Sequence, residues 1–211
     1  MIRAEKRRQQ MDERVTDKKA IQEERTRRFI IEAAMALISS EGLASLNVRK
    51  IADRAAFSVG TLYNYFADLD AILAHAAYHY FDAVYEKVQL DTQGMEDITT
   101  RIQRGTRSYA EFFLNNPEVF KLIFMAPLET IPEAIMEQLM VPKVALLFHG
   151  WFIEAAEAGM LQQSRAELVE DALGNAVHGA LLFHITGRSP GTANALLKRL
   201  DAIVVLELGA G

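Results

Sequence analysis

From Ile30 onward, apolar residues recur three and four positions apart, which is the period of an α-helix. Ile30, Ala33, Ala34, Leu37 and Ile38 form the first such stripe, and Gly42 ends it. No segment shows the sustained apolar–polar alternation, bracketed by turn dipeptides, of a half-buried strand. No internal repeat is present either. The expected class is therefore all-α, with about nine helices. Residues 1–22 carry Lys6-Arg7-Arg8 and Lys18-Lys19 with few apolar residues, and read as a basic, solvated and mobile arm before a helix from about Glu23. Asn47 and Ser58 are natural caps for two short helices, Val48 to Ala55 and Val59 to Phe66. A long amphipathic stretch opens at Asp68 or Asp70 and runs through Val88. Further helices are expected over Ile98 to Asn115, Glu118 to Met125, Glu133 to Met140, Val144 to Ala158, Arg165 to Thr186 and Thr192 to Leu208. The domain reading is an arm over 1–22, a small helical unit over 23–68 and a larger helical body over 69–211.

Composition narrows the function classes. With 211 residues, 50% hydrophobic, 24% charged and only 12 Gly and 5 Pro, the chain is globular rather than collagen-like or low-complexity. The absence of Cys excludes a disulfide framework, a thiolate zinc site and a cysteine nucleophile. No run approaches the ~18 apolar residues of a membrane span, and the charged N-terminus is unlike a secretory signal. The expectation is a soluble cytoplasmic protein with no membrane partner and no cofactor. Its net charge of −5 argues weakly against nucleic acid, but the charge is unevenly placed. Residues 1–66 are net +4 and residues 67–211 net −9, so only the N-terminal end is suited to a polyanion.

The informative window is Leu43 to Leu73, LASLNVRKIADRAAFSVGTLYNYFADLDAIL. It describes two short helices joined by a tight turn and preceded by a longer helix. Ala52 lets the short helices cross closely, while Ile51, Leu62 and Phe66 supply their shared core. Val59, Gly60, Thr61, Tyr63, Asn64 and Tyr65 are left on the outside of the second helix. Such a helix fits a major groove about 12 Å wide, and Gly60 allows close backbone approach. Arg49 has the planar fork that matches guanine O6 and N7.

Asn47-Val48-Arg49-Lys50-Ile51-Ala52, then Ser58 to Phe66 (SVGTLYNYF), then Leu73, resemble the TetR family of bacterial transcriptional regulators. The close match covers about residues 25–75. The resemblance implies an N-terminal three-helix DNA-binding unit with a helix-turn-helix, and a helical C-terminal domain that dimerises and holds an effector. By position it implies that Arg49, Val59, Gly60 and Thr61 face bases, while Asn47, Ser58, Tyr63, Asn64 and Tyr65 sit at or near phosphates. Two departures stand out. Ala56 occupies the turn where the family usually has Gly, and Leu69, between Asp68 and Asp70, replaces a common phosphate-binding Lys.

In the acidic body, rings and methionines crowd residues 109–160, and adaptable apolar side chains suit a small apolar or aromatic effector. Tyr109, Phe113, Phe148 and Trp151 are the expected wall, with His79, Arg104, Asn175 and His178 as polar residues near it. Small residues at Ala172, Ala176, Gly179 and Ala180, with Phe183, Leu197 and Leu200, suggest a four-helix homodimer interface. His75 and His79 have a metal-compatible i, i+4 spacing, but nothing completes a site, so no metal is expected. No phosphate loop, nucleophile elbow or paired carboxylates point to an enzyme. The expected function is a ligand-released dimeric repressor of double-stranded operator DNA. The rival readings are a helical sensor with a vestigial DNA-binding unit and an unrecognised helical enzyme.

Overall fold

The computed structural model describes residues 2–189 and 191–209, with side chains described from residue 18 onward. Ten α-helices and one 3-10 turn follow one another, and no strand occurs among the described residues. The all-α expectation holds. The chain divides into two compact units, one formed by residues up to Ala76 with Leu128–Thr130, the other by Ala77–Pro127 and the residues from Ile131. The division falls within the fourth helix rather than at its start.

The first unit holds α1 (Ile2–Glu41), a 3-10 turn (Leu43–Ser45), α2 (Val48–Ala55), α3 (Val59–Tyr65) and the opening turns of α4 (Leu69–Thr92). Its core is the stripe read from the sequence: Ile30, Ala34 and Ile38 are fully buried, as is Ile51, with Ala52 and Leu62 nearly so. α1 begins at Ile2, not near Glu23, so the backbone of the expected arm is helical from its second residue. Its residues 18–22 are exposed, and Lys19 pairs with Glu23 at 3.9 Å. Most of its basic side chains, Arg3 to Arg14, lie outside the described residues.

Local chemistry sets the ends of the short helices. Asn47 Oδ1 accepts the Lys50 N–H at 3.0 Å, which starts α2, and Ser58 Oγ accepts the Thr61 N–H at 3.0 Å, which starts α3. Between them Ala56 adopts φ 58° and ψ 37°, the left-handed region, and is the one described non-glycine residue with positive φ. The Phe57 N–H then donates to the Ala52 carbonyl at 3.0 Å, which closes α2. A Cβ in that conformation costs about 1 kcal/mol. Ala56→Gly is therefore expected to stabilise the protein by about that amount and to raise its melting midpoint by roughly 2–4 °C. A lower midpoint in a thermal melt would contradict the strain argument.

The second unit takes the rest of α4 with α5 (Ile98–Asn115), α6 (Pro117–Phe124), α7 (Glu133–Met140), α8 (Lys143–Glu157), α9 (Gln163–Ile185) and α10 (Ala193–Gly209). α5 is its centre, packed against α8, α9 and α10 and burying Ile102, Gly105, Thr106, Tyr109, Ala110 and Phe113. Asp97 caps α5 through the Thr100 N–H at 2.8 Å, and Asn116-Pro117 stops it. The most apolar stretch, 133–157, is broken at Val141-Pro142 into helices of 8 and 15 residues. Each is shorter than the roughly 20 residues of a membrane crossing.

Candidate functional site

α3 buries Leu62, with Phe66 just beyond its end, and leaves nearly everything else outside. Gly60 and Asn64 are exposed, Tyr63 is 54% exposed, and Val59, Thr61 and Tyr65 are half-buried. Asn47, Arg49 and Ser58 are exposed at or near the starts of α2 and α3. Asn47 and Ser58 spend their side-chain oxygens on the caps, and Ser58 Oγ also lies 2.8 Å from Thr61 Oγ1. All nine residues expected at DNA thus lie on the helix pair or its caps, outside the shared core.

One residue that positions this surface is invisible to motif reading. Arg27, on α1, donates from Nη1 to the Tyr65 carbonyl at 2.6 Å. Its guanidinium also lies 5.7 Å from the Tyr65 ring centroid and 5.4 Å from that of Phe66. A cation on the last carbonyls of α3 complements that helix's dipole and fixes its exit. Lys50 is likewise held, by Glu41 at 2.7 Å. At the position without lysine, Asp68 Oδ1 accepts the Ala71 N–H at 2.8 Å and caps α4. Asp70 Oδ2 accepts the Glu129 N–H at 3.0 Å.

Within the second unit a cavity of about 390 Å³ opens between α4, α5, α6, α7, α8 and α9. Of the residues expected on its wall, Tyr109, Phe148, Asn175 and His178 are there, joined by Phe81, Thr106, Phe124, Met140, Phe152 and Glu170. Tyr109 Oη lies 2.8 Å from His178 Nε2, and the Phe124 ring lies 4.6 Å from the His178 ring. Burial lowers the pKa of His178 and raises that of the Tyr109 hydroxyl, so both are neutral near pH 7.

Four expected pocket residues lie elsewhere. Phe113 is fully buried behind the wall, edge-on to Tyr109 at 5.0 Å. Trp151 packs on Gly105 and edge-on to Phe148 at 4.9 Å, with the Arg101 guanidinium 6.0 Å from its ring, so it is core. Arg104 is drawn away by charge: it pairs with Asp91 at 2.9 Å and Glu111 at 3.8 Å. That ladder continues through Lys87 to Asp91 at 2.9 Å and through Arg107 to Glu111 at 3.0 Å and Asp201 at 2.9 Å. The hydrogen bond from Lys87 is the main reason the Asp91 carboxyl is held below its ordinary pKa. His79 does not line the cavity; its ring lies 5.4 Å from Tyr78.

The expected dimer residues divide. Ala172 is exposed, Ala176, Gly179 and Ala180 are half-buried, and Phe183 is 53% exposed, all along one stripe of α9. Leu197 and Leu200 are buried within the unit, because α10 turns that side toward α5 and α9. The outward apolar residues that sequence reading missed are Leu168 on α9 and Val205 and Leu206 on α10. Their signal was available: 205 and 206 fall opposite the Leu200–Val204 stripe that fills the core.

The family model described as "Bacterial regulatory proteins, tetR family" matches residues 30–76, which span the core of α1, the α2–α3 pair and the start of α4. Among solved structures, a TetR family transcription regulator from Marinobacter aquaeolei VT8 is 18% identical with a TM-score of 0.61, over 88% of this chain and 96% of that one. The fatty acid degradation regulator FadR from Bacillus halodurans is 16% identical with a TM-score of 0.66, over 85% and 94%. RolR in complex with resorcinol is 16% identical with a TM-score of 0.67, over 88% and 95%. The resemblance read from the sequence therefore stands: residues 30–76 match the TetR family's model, and the chain shares the fold of solved TetR-family regulators.

Proposed function

We propose that this protein is a dimeric transcriptional repressor that binds a quasi-palindromic operator and leaves it when a small apolar or aromatic molecule occupies the cavity of its second unit. The observation that carries the reading is the surface of α3, where a glycine, hydroxyls and aromatic edges lie outside the core. A dimer would set two such helices about 34–36 Å apart, one for each of two successive major grooves. The outward stripe of Ala172, Ala176, Gly179, Ala180 and Phe183, with Leu168, Val205 and Leu206, supports a pairing of α9 and α10 with their copies. The basic residues of 1–22 would add phosphate contacts where the usual lysine is replaced by Leu69.

The rings of Phe81, Tyr109, Phe124, Phe148 and Phe152 on the cavity wall, and the resorcinol bound by the similarly folded RolR, support a small aromatic effector. Release requires that the effector bind the DNA-free conformer more tightly than the DNA-bound one. α4, shared by both units, is the natural carrier of that bias.

Base readout and phosphate positioning separate by mutation. Arg49→Ala should cost about 1–3 kcal/mol of operator affinity and relax preference at one base position. Tyr63→Phe should weaken binding to all sequences alike, because it removes a hydroxyl from the backbone and not from a base edge. Fluorescence anisotropy across a set of single-base operator variants checks both. A uniform loss for Arg49→Ala would remove it from base readout.

A further inference from the structure

We infer that the cavity of the second unit is built for an uncharged aromatic compound bearing a hydroxyl, whose oxygen sits between Thr106 and the Tyr109–His178 pair. This rests on the proposal that the cavity is the effector site, and it adds the chemical class.

Thr106 carries the inference. It lies on the cavity wall with only 3% of its surface exposed, and its Oγ1 is buried without a hydrogen-bond partner. Three other buried or half-buried threonines bond back to the carbonyl one turn earlier: Thr26 to Gln22 at 2.9 Å, Thr92 to Val88 at 2.8 Å, Thr186 to Leu182 at 2.6 Å. Thr106 makes no such bond, so its hydroxyl is buried without a partner. Tyr109 stands three residues further along α5, on the same helix side, and shares a hydrogen bond with His178 at 2.8 Å. In either histidine tautomer the Tyr109 oxygen keeps capacity for one more partner, as acceptor or as donor. An unpartnered hydroxyl and one with spare capacity on the same wall suit a ligand hydroxyl, which both donates and accepts.

Charge and size set the rest of the class. Glu170 and Asp171 are on the wall, and no Lys or Arg is among its residues. Burial keeps His178 neutral, so an anionic ligand would meet no compensating cation. Glu170 is already joined to His149 at 2.8 Å, which leaves it poorly placed to hold a buried ammonium. Phe81, Phe124, Phe148 and Phe152 supply flat apolar surface. A benzene-sized ligand occupies roughly 150 Å³, so about 390 Å³ takes a substituted ring.

The test uses the full-length protein and four probes, 4-ethylphenol, 4-ethyltoluene, 4-ethylbenzoate and protonated 4-ethylbenzylamine, titrated calorimetrically. The phenol should bind at least about tenfold more tightly than the hydrocarbon of the same shape, and both charged compounds more weakly than either. In Thr106→Val the phenol and the hydrocarbon should bind within about twofold of each other. The same variant should melt higher than the native protein without ligand, because it removes an unsatisfied buried hydroxyl. Gly174 is on the wall and a Cβ there meets nothing within 4 Å, so Gly174→Trp can fill the cavity from an open position. It should abolish phenol binding. Equal binding of phenol and hydrocarbon, lost in Gly174→Trp, overturns the hydroxyl class while leaving the cavity as the site. Phenol binding that survives Gly174→Trp overturns the cavity itself. Tightest binding of either charged probe, or no binding of the phenol, also overturns the inference.

Discussion

Gly60→Leu is expected to reduce operator affinity by at least about 100-fold, roughly 2.7 kcal/mol, without lowering the melting midpoint of the protein. A Cβ at Gly60 would meet only Ser58 Oγ, at 3.7 Å, which is ordinary contact. Gly60 is helical and exposed, so leucine there should even favour α3 slightly. Nothing inside the unit needs a glycine. If α3 lies in a major groove, however, a branched side chain at its second residue fills the space reserved for the sugar–phosphate edge or the bases. Anisotropy titration with the operator, paired with a thermal melt, separates the two demands. Retained affinity would mean that Gly60 does not approach DNA, and a large drop in midpoint would mean that the glycine is structural.

The second large effect runs the other way, on stability. Gly105→Ala is expected to destabilise the protein by about 1–3 kcal/mol, through overpacking. A Cβ there would lie 2.5 Å from Trp151 Cζ3 and 2.9 Å from Cη2, with Phe148 Cζ at 3.3 Å. The indole cannot simply swing away, because it is buried with Phe148 edge-on and Arg101 beside it. At roughly 2–4 °C per kcal/mol for a chain of this size, the midpoint should fall by roughly 2–12 °C. Combining it with Trp151→Phe should recover part of the loss, since the colliding ring atoms are gone. A variant as stable as the native protein would contradict this packing. Because Phe148 lines the cavity, Gly105→Ala should also weaken binding of any ligand there.

These two glycines show what was legible in the sequence. Gly60 sits in a local pattern: two caps, a crossing alanine and a helix with two inward residues can all be read from consecutive positions. The helix-turn-helix followed from that, whereas Ala56 stood out only through the family resemblance, and its left-handed backbone is seen in the structure. Gly105 and Trp151 are 46 positions apart, and their contact depends on how α5 and α8 cross, which no local period encodes. Trp151 looked like a pocket anchor because a ring-rich segment shows composition but not which rings face the void. Arg104 looked like a pocket anchor until its carboxylate partners on α4 and α5 were in place. Leu197 and Leu200 carried a real apolar stripe, but one stripe cannot say whether it meets its own chain or a copy. Thr106 could not be singled out at all, since only the absence of its back-bond to α5 marks it.

The central claim, sequence-specific DNA binding by a symmetric pair of α3 helices, is tested most directly by selecting bound duplexes from a random pool with the purified full-length protein. The expected outcome is an enriched pair of inverted half-sites whose centres lie about 10–10.5 base pairs, or a multiple of that, apart. The same pool passed over Gly60→Leu should enrich nothing. Recovery of no consensus by the native protein, or of a single unsymmetrical site, would contradict a dimeric repressor reading its operator through α3.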